Sequence, residues 1–431
     1  MRSDIVHEGA ANINYEIRNI VDVGHRIVAT GQPMTWENIG DPIQMGEKVA
    51  PWIREIVSDL VQREESWAYC HSRGVLATRE FLADQVNRRG GAQVDANDIL
   101  FVNGIADAVD KIYDLIRKDA RVVMPSPSYS THLSNESKRG KYANITFPLD
   151  PHNNWRPDID ELRNLVKYNP QVVAIAMVNP DNPTGMVYSE AELREIVKIA
   201  DEYGLFIICD EIYTHINFHG KSLHLSQVVG DVPAISLRGI SKEYPWPGSR
   251  CGWIEILNVK KHPAFAEYVK ALVKAKMLEV CSTTLPQMSI PLVFGDPRYP
   301  DHLRRREQMF AARADEAYEI FRQIPQVIVN KPEGAFYFPV IIKDGALTAR
   351  QQLPIKNPET ARLVNSLVQD VALDKRFVYY LMGSEGICVT PMSGFYTPLA
   401  GFRLTLLRAD DAQRRATFQR IADAMNRYFN S

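Results

Sequence analysis

From Val172 to Val178 the chain is apolar at every position, and the same holds over 205–209. Apolar runs this short and continuous are expected of strands buried on both faces, as in a parallel sheet. Between them, Ser189-Glu190-Ala191-Glu192 has capping-box spacing, so Ser189 and Glu192 can each satisfy an orphan backbone N–H. Leu193, Ile196, Val197 and Ala200 then follow on one helical stripe. The three pieces make a β-α-β unit. An apolar run at 99–102 leads into a second stripe from Ile105 through Val109, Ile112, Tyr113 and Ile116, and a further short run occupies 234–237. Together these predict an α/β fold with a mostly parallel sheet and helices on both sides, in which ligands gather at the carboxyl ends of the strands. Beyond about residue 300 the pattern changes to a charged helical stretch over 301–321, strands near 335–340 and 402–407, and a terminal helix from about Asp411. This predicts a second, smaller α+β domain. The expected division is an N-terminal arm with part of the small domain over 1–48, a large domain over 49–300 and the small domain over 301–431.

A chain of 431 residues is long enough for one large domain and a smaller companion. Its 50 Lys and Arg nearly balance 52 Asp and Glu, which argues against the broad basic surface that nucleic acid or an anionic membrane requires. Any anion site must therefore be local. The first residues lack the apolar core of a secretory signal, and no later stretch is uniformly apolar for the length of a membrane span, so a soluble, cytoplasmic protein is expected. The cysteines at 70, 209, 251, 281 and 388 are scattered and never form a CxxC pair, so neither a disulfide framework nor a metal site is expected.

Four motifs fall at or just past the expected strand ends. Asn179-Pro180-Asp181-Asn182-Pro183-Thr184-Gly185 follows the first central strand, and alone it is an ordinary turn-former. Asp210-Glu211-Ile212-Tyr213 follows the second, where an acidic pair could simply be solvated. Gly239-Ile240-Ser241-Lys242 follows the third, and Pro247-Gly248-Ser249-Arg250-Cys251-Gly252-Trp253 puts an arginine eight residues beyond the lysine. In this order the set resembles the fold-type I aminotransferases of class I/II, which depend on pyridoxal 5′-phosphate. The resemblance extends to Asn38-Ile39-Gly40-Asp41-Pro42, Asn103-Gly104-Ile105-Ala106, Pro125-Ser126-Pro127-Ser128-Tyr129, Pro332-Glu333-Gly334-Ala335-Phe336-Tyr337 and Phe402-Arg403-Leu404-Thr405, nearly the whole chain. It implies the aspartate aminotransferase-like fold and amino transfer between an amino acid and a 2-oxo acid.

The resemblance also implies roles. Lys242 is the amine that holds the cofactor aldehyde and later shuttles a proton, and burial beside Arg250 should depress its ordinary pKa. Asp210 pairs with the pyridine nitrogen, Asn182 and Tyr213 bond the 3-oxygen, and Tyr129 stacks on the ring. The N–H groups of Gly104, Ile105 and Ala106 at a helix start, with Ser241 and Arg250, take the phosphate. Gly239 stands where many relatives carry serine, which leaves one phosphate contact open. Tyr69 matches the tyrosine that reaches the phosphate of a neighbouring subunit, implying a homodimer with shared sites. Arg403 clamps the substrate α-carboxylate, and the backbone at Gly40 approaches the same group.

Asn14 to Arg18, Tyr69 to Gly74, the tyrosine at 129 and Gly-Ile-Ser-Lys at 239–242 are most similar to the alanine aminotransferase branch. In that branch Tyr15 and Arg18 lie over the site, and Arg18 is expected to bind the distal carboxylate of glutamate or 2-oxoglutarate. The alternative is an arginine in a mobile arm. The segments 244–247 and 341–358 depart from the branch, so aspartate or an aromatic amino acid stays open as donor. Carbon–sulfur β-lyases share the fold and the first chemical step, and stay open as well. A DNA-binding regulator would need a module for which the segment before Asn38 is too short.

Overall fold

The computed structural model describes residues 8–12, 16–139, 143–220 and 223–431. Strand β1 (Thr35–Trp36) pairs in parallel with a strand far along the chain, described below. The next eight, β2 (Ile99–Val102), β3 (Arg121–Ser126), β4 (Ile145–Asp150), β5 (Arg156–Pro157), β6 (Val172–Val178), β7 (Phe206–Asp210), β8 (Ala234–Gly239) and β9 (Gly252–Leu257), form one sheet. Their order is β2-β9-β8-β7-β6-β3-β4-β5. The run β8-β7-β6-β3-β4 is parallel, and β9 pairs antiparallel with both β8 and β2. The continuous apolar runs have the expected cause: Ile175, Ile207, Ile208 and Ile235 are fully buried, each contributing about 1.5–3 kcal/mol.

Crossover helices cover the faces. Helix Glu190–Tyr203 opens on the Ser189–Glu192 capping box, with both reciprocal bonds made, and closes on Gly204 at φ +67. Its residues Leu193, Ile196, Ile199 and Ala200 face the core. Helix Ile105–Leu115 starts at Gly104, whose φ of +82 only glycine adopts without strain, and buries Val109, Ile112 and Tyr113.

A second core forms around the sheet β10 (Val327–Ile328), β11 (Tyr337–Ile342), β13 (Thr390–Pro391) and β14 (Gly401–Thr405), ordered β10-β11-β14-β13 and antiparallel throughout. Strand β12 (Ile387–Cys388) is the distant partner of β1. Helix Tyr299–Phe321, read from sequence as a charged stretch, buries Phe310, Ala314, Ala317 and Phe321 on one stripe. Phe321 packs against Phe338, Phe402 and Phe418, the last on helix Asp411–Phe429. The first described α-helix, Glu16–Val28, adds Ile20 and Ile27 to this core. Strand β11 begins two residues later than the expected 335, because Ala335 is in left-handed backbone at φ +57. No helix among the described residues is long and apolar enough to cross a membrane.

Candidate active site

Because β6, β7 and β8 are parallel neighbours, their carboxyl ends deliver the Asn182 turn, Asp210 and the Lys242 turn side by side. The Asn182 turn is stiff. Asp181 Oδ2 accepts the Thr184 N–H at 3.0 Å and its hydroxyl at 2.6 Å, and the Gly185 carbonyl accepts the N–H groups of Glu333 and Gly334 at 2.8 and 2.9 Å. Gly185 has φ +72, and a Cβ there would lie 2.7 Å from Pro332. The turn is thereby docked on the segment that leads into β11, bringing the two cores together at the site.

Lys242 sits in a four-residue helical turn, Ile240–Glu243, and is partly buried. Its Nζ donates to the Gly40 carbonyl at 2.5 Å and lies 5.7 Å from the Phe336 ring centre. Burial brings the amine down from 10.5 to about 8; the Asp41 carboxylate opposes this, Arg250 and Arg403 reinforce it, and Asp210 opposes it. An amine near that value is neutral often enough to act as nucleophile and base.

Arg403, on β14, is 1% exposed. Its Nη1 donates to Asn182 Oδ1 at 3.0 Å, and Nη2 donates to the Asn38 carbonyl and, at 3.3 Å, to Thr390 Oγ1. The guanidinium lies over Tyr337 at 4.3 Å and Phe395 at 5.1 Å. A planar fork held on both faces is ready to take a carboxylate. Tyr337 shares a hydroxyl hydrogen bond with Tyr213 at 2.9 Å, and a Cβ at Gly40 would lie 2.3 Å from the Tyr337 oxygen. Any other residue at 40 would displace that pair. Burial raises the Tyr213 hydroxyl well above its usual pKa, so it stays a donor.

Asp210 is buried at the end of β7, and its Oδ1 accepts the Ile212 N–H at 3.1 Å. Its Oδ2 faces His132 Nε2 across 3.7 Å. His132 is 2% exposed, its other nitrogen lies 3.3 Å from the Tyr113 hydroxyl, and its ring meets Tyr129 edge-on at 6.4 Å. Tyr129 precedes helix Ser130–Ser137 and is partly buried.

The helix start expected to take the phosphate begins at Gly104. A Cβ there would lie 2.4 Å from Arg250 Nη2, so Arg250 rests directly on the start of helix Ile105–Leu115. The first-turn N–H groups at Ile105 and Ala106 have no acceptor within their own helix. Arg250, with φ +50, also donates to the carbonyls of Pro247 at 3.1 Å and Asn103 at 3.5 Å. Ser241 is partly buried beside Lys242. Helix-start donors, an arginine, a half-neutral lysine and a buried carboxylate form a donor set that fits a phosphate-bearing pyridine aldehyde. Among the described residues no group of three or more His, Cys, Asp or Glu side chains could hold a metal ion.

Two expected residues are exposed rather than packed into the site. Tyr69 is 84% exposed on the wall of a cleft of about 530 Å³ that also contains Asn103 and Ser249. Arg18 is exposed on helix Glu16–Val28, whose start packs on the 392–395 segment: a Cβ at Gly394 would lie 2.5 Å from Glu16 Cβ. Tyr15 lies outside the described residues. Sequence reading missed His132, Thr390, Phe395 and the role of Tyr337. His132 had a usable signal, since it stands three residues after Tyr129 on the same helix start.

Comparison with known proteins gives the family and the fold. The family model for aminotransferase class I and II matches residues 37–421. An uncharacterized aminotransferase of Methanocaldococcus jannaschii is 48% identical over 100% of both chains. A glutamate-pyruvate aminotransferase of Haemophilus influenzae is 30% identical over 77% of this chain and 81% of its own. Among solved structures, an alanine aminotransferase of Pyrococcus furiosus superposes with a TM-score of 0.83 at 24% identity, covering 98% of this chain and 99% of that one.

Proposed function

The chain belongs to the class I and II aminotransferases and is a pyridoxal-phosphate-dependent transaminase; we propose that it transfers the amino group of alanine, or a similarly small amino acid, to 2-oxoglutarate. The Arg403 niche supports the amino acid and 2-oxo acid classes, because one oriented guanidinium can take the α-carboxylate that donor and acceptor share. The names of relatives at 27–30% identity, alanine and glutamate-pyruvate aminotransferases, support the choice of partners.

When bound, pyridoxal phosphate supplies an aldehyde that captures the amino group and a ring that takes up the electron pair released at Cα. Arg403 orients the substrate so that its Cα–H faces Lys242. Lys242 Nζ, whose pKa burial brings down to about 8, is the base that would take that proton. Asp210, fixed by the Ile212 N–H and flanked by His132, would keep a proton on the ring nitrogen. Gly104, Ile105, Ala106, Ser241 and Arg250 would hold the phosphate, Asn182 and Tyr213 the ring oxygen, and Tyr129 the ring face. Arg18 receives the distal carboxylate of 2-oxoglutarate, from a helix whose start adjoins Phe395. The working unit is a homodimer in which Tyr69 completes the neighbour's phosphate site. The exposed Trp67, Tyr69, Met277, Leu278 and Val280 support that assignment.

Steady-state kinetics with alanine, aspartate, tyrosine and cysteine as donors test the proposal. Alanine should give the highest kcat/KM, in ping-pong fashion with 2-oxoglutarate. Arg18→Ala should raise KM for 2-oxoglutarate about tenfold or more, the loss of one charge-assisted contact, with alanine kinetics preserved. Preference for aspartate or tyrosine would reassign the donor; pyruvate and ammonia from cysteine without a 2-oxo acid would make the enzyme a lyase.

A further inference from the structure

Arg306 lies 64 residues beyond Lys242, on the long helix Tyr299–Phe321, and its side chain is only 5% exposed. Its guanidinium donates in two directions. Nη1 reaches the backbone carbonyls of Lys242 at 2.6 Å and Glu243 at 2.9 Å. Nε and Nη2 reach the two oxygens of Glu47 at 2.5 and 3.1 Å. The carbonyls ending a one-turn helix have no donor within it, so Arg306 supplies what the turn lacks. On the other side, Glu47 is tied to Pro42, and Met45 to Asp41 and Ala409, by backbone bonds of 2.9–3.2 Å. The same segment carries the Gly40 carbonyl that accepts Lys242 Nζ. Lys242 is thus held at its main chain by Arg306 and at its amine by Gly40, with the Arg306–Glu47 pair closing the circuit.

We propose that Arg306, clamped by Glu47, is a positioning residue for Lys242: it sets the direction in which the lysine leaves its turn and locks the Gly40 segment over the amine. The inference rests on Lys242 being the amine that attaches the cofactor. Only a planar fork with donors on separate edges can serve two carbonyls and a carboxylate at once; the compact ammonium of lysine cannot.

The test uses the holoenzyme and the variants Arg306→Gln, Arg306→Lys, Glu47→Gln and the Glu47→Gln/Arg306→Gln double. For each, the visible cofactor band is titrated with pH in the absence of substrate, and Tm, kcat and KM are measured. Asp41, Asp210, Arg250 and Arg403, which act on the Lys242 amine, are unchanged in all four; charge loss alone would move the midpoint in opposite directions in Arg306→Gln and Glu47→Gln, so a shift in the same direction in both reports placement. Arg306→Gln should lower kcat by about 10–100-fold, the cost of misplacing a reacting group by roughly 1 Å, with KM nearly unchanged and the band midpoint displaced. Glu47→Gln should show the same changes in smaller degree, Arg306→Lys should not rescue, and the double variant should be no worse than Arg306→Gln. A lowered Tm with unmoved midpoint and unchanged kcat would overturn the proposal by reducing the clamp to fold stability. Should Arg306→Gln not fold, the same outcome in Glu47→Gln decides. Full rescue by lysine would overturn it too. A band that persists in Lys242→Ala would instead overturn the assignment of Lys242, a separate result.

Discussion

Replacing Arg403 by lysine keeps the charge and removes the fork. In the native site Nη1 is fixed by Asn182, Nη2 by Asn38 and Thr390, and the plane by Tyr337 and Phe395. A substrate carboxylate would thus meet a guanidinium whose orientation is already set. A lysine retains one donor at best toward the substrate, so one charge-assisted hydrogen bond is lost, about 1.5–3 kcal/mol. At 1.4 kcal/mol per tenfold, kcat/KM should fall by about 10–150-fold for donor and acceptor alike. Removing the guanidinium also removes one of the cations that depress the Lys242 amine, unless the new ammonium takes its place. In Arg403→Gln the ammonium form of Lys242 is therefore stabilised, and the acid limb of the pH–rate profile should move to higher pH. The assay is steady-state kinetics with alanine, with 2-oxoglutarate and with an amine that lacks a carboxylate, alongside Tm. A loss under about threefold, or an equal loss with the carboxylate-free amine, would refute the reasoning.

In the apoenzyme, the Lys242 amine should react with an amine-directed reagent with a midpoint near pH 8: at about pH 7.5 roughly a quarter is neutral, against roughly a thousandth at an ordinary 10.5. Reactivity should fall below that midpoint, and a midpoint near 10 measured by labelling and peptide mass mapping would contradict the burial argument. Asp210→Ala should keep weak cofactor binding yet reduce kcat by about 10²–10³-fold; stopped-flow absorbance separates the two, and near-normal turnover would exclude the ring-nitrogen role. Gly104→Ala forces a side chain into glycine-only backbone at φ +82 and toward Arg250 Nη2, so the cradle must shift and cofactor Kd should rise about 5–30-fold, the equivalent of about 1–2 kcal/mol. Fluorescence titration of the apoenzyme measures it, and an unchanged Kd would show that the cradle lies elsewhere.

The strands were legible because burial on both faces demands continuous apolar residues, and Val172–Val178 satisfies that without ambiguity. The motifs at their carboxyl ends were legible because a parallel sheet gathers those ends at one edge. Arg403 was not legible from pattern: a buried arginine on a strand looks like an error in alternation, and its partners Asn182 and Asn38 lie 221 and 365 residues away. Only the resemblance singled it out. Arg306 escaped both routes, since it stands in Arg304-Arg305-Arg306-Glu307, which reads as a solvated face. Helical phase puts Arg306 on the buried stripe with Phe310 and Arg313, but phase alone does not say that a charge will be welcome there. His132 shows the same limit: its meaning comes from Asp210, which the fold, not the chain, brings to 3.7 Å.

The assignment of alanine as donor and Lys242 as the reacting amine meets its most direct test in a single half-reaction. Stoichiometric L-alanine is added to the holoenzyme without any 2-oxo acid, while the visible band and pyruvate are followed. The band should disappear with one pyruvate formed per site and no ammonia, return on addition of 2-oxoglutarate, and be absent from Lys242→Ala. A band that persists with alanine while another amino acid removes it, or repeated turnover that releases ammonia, would contradict the account.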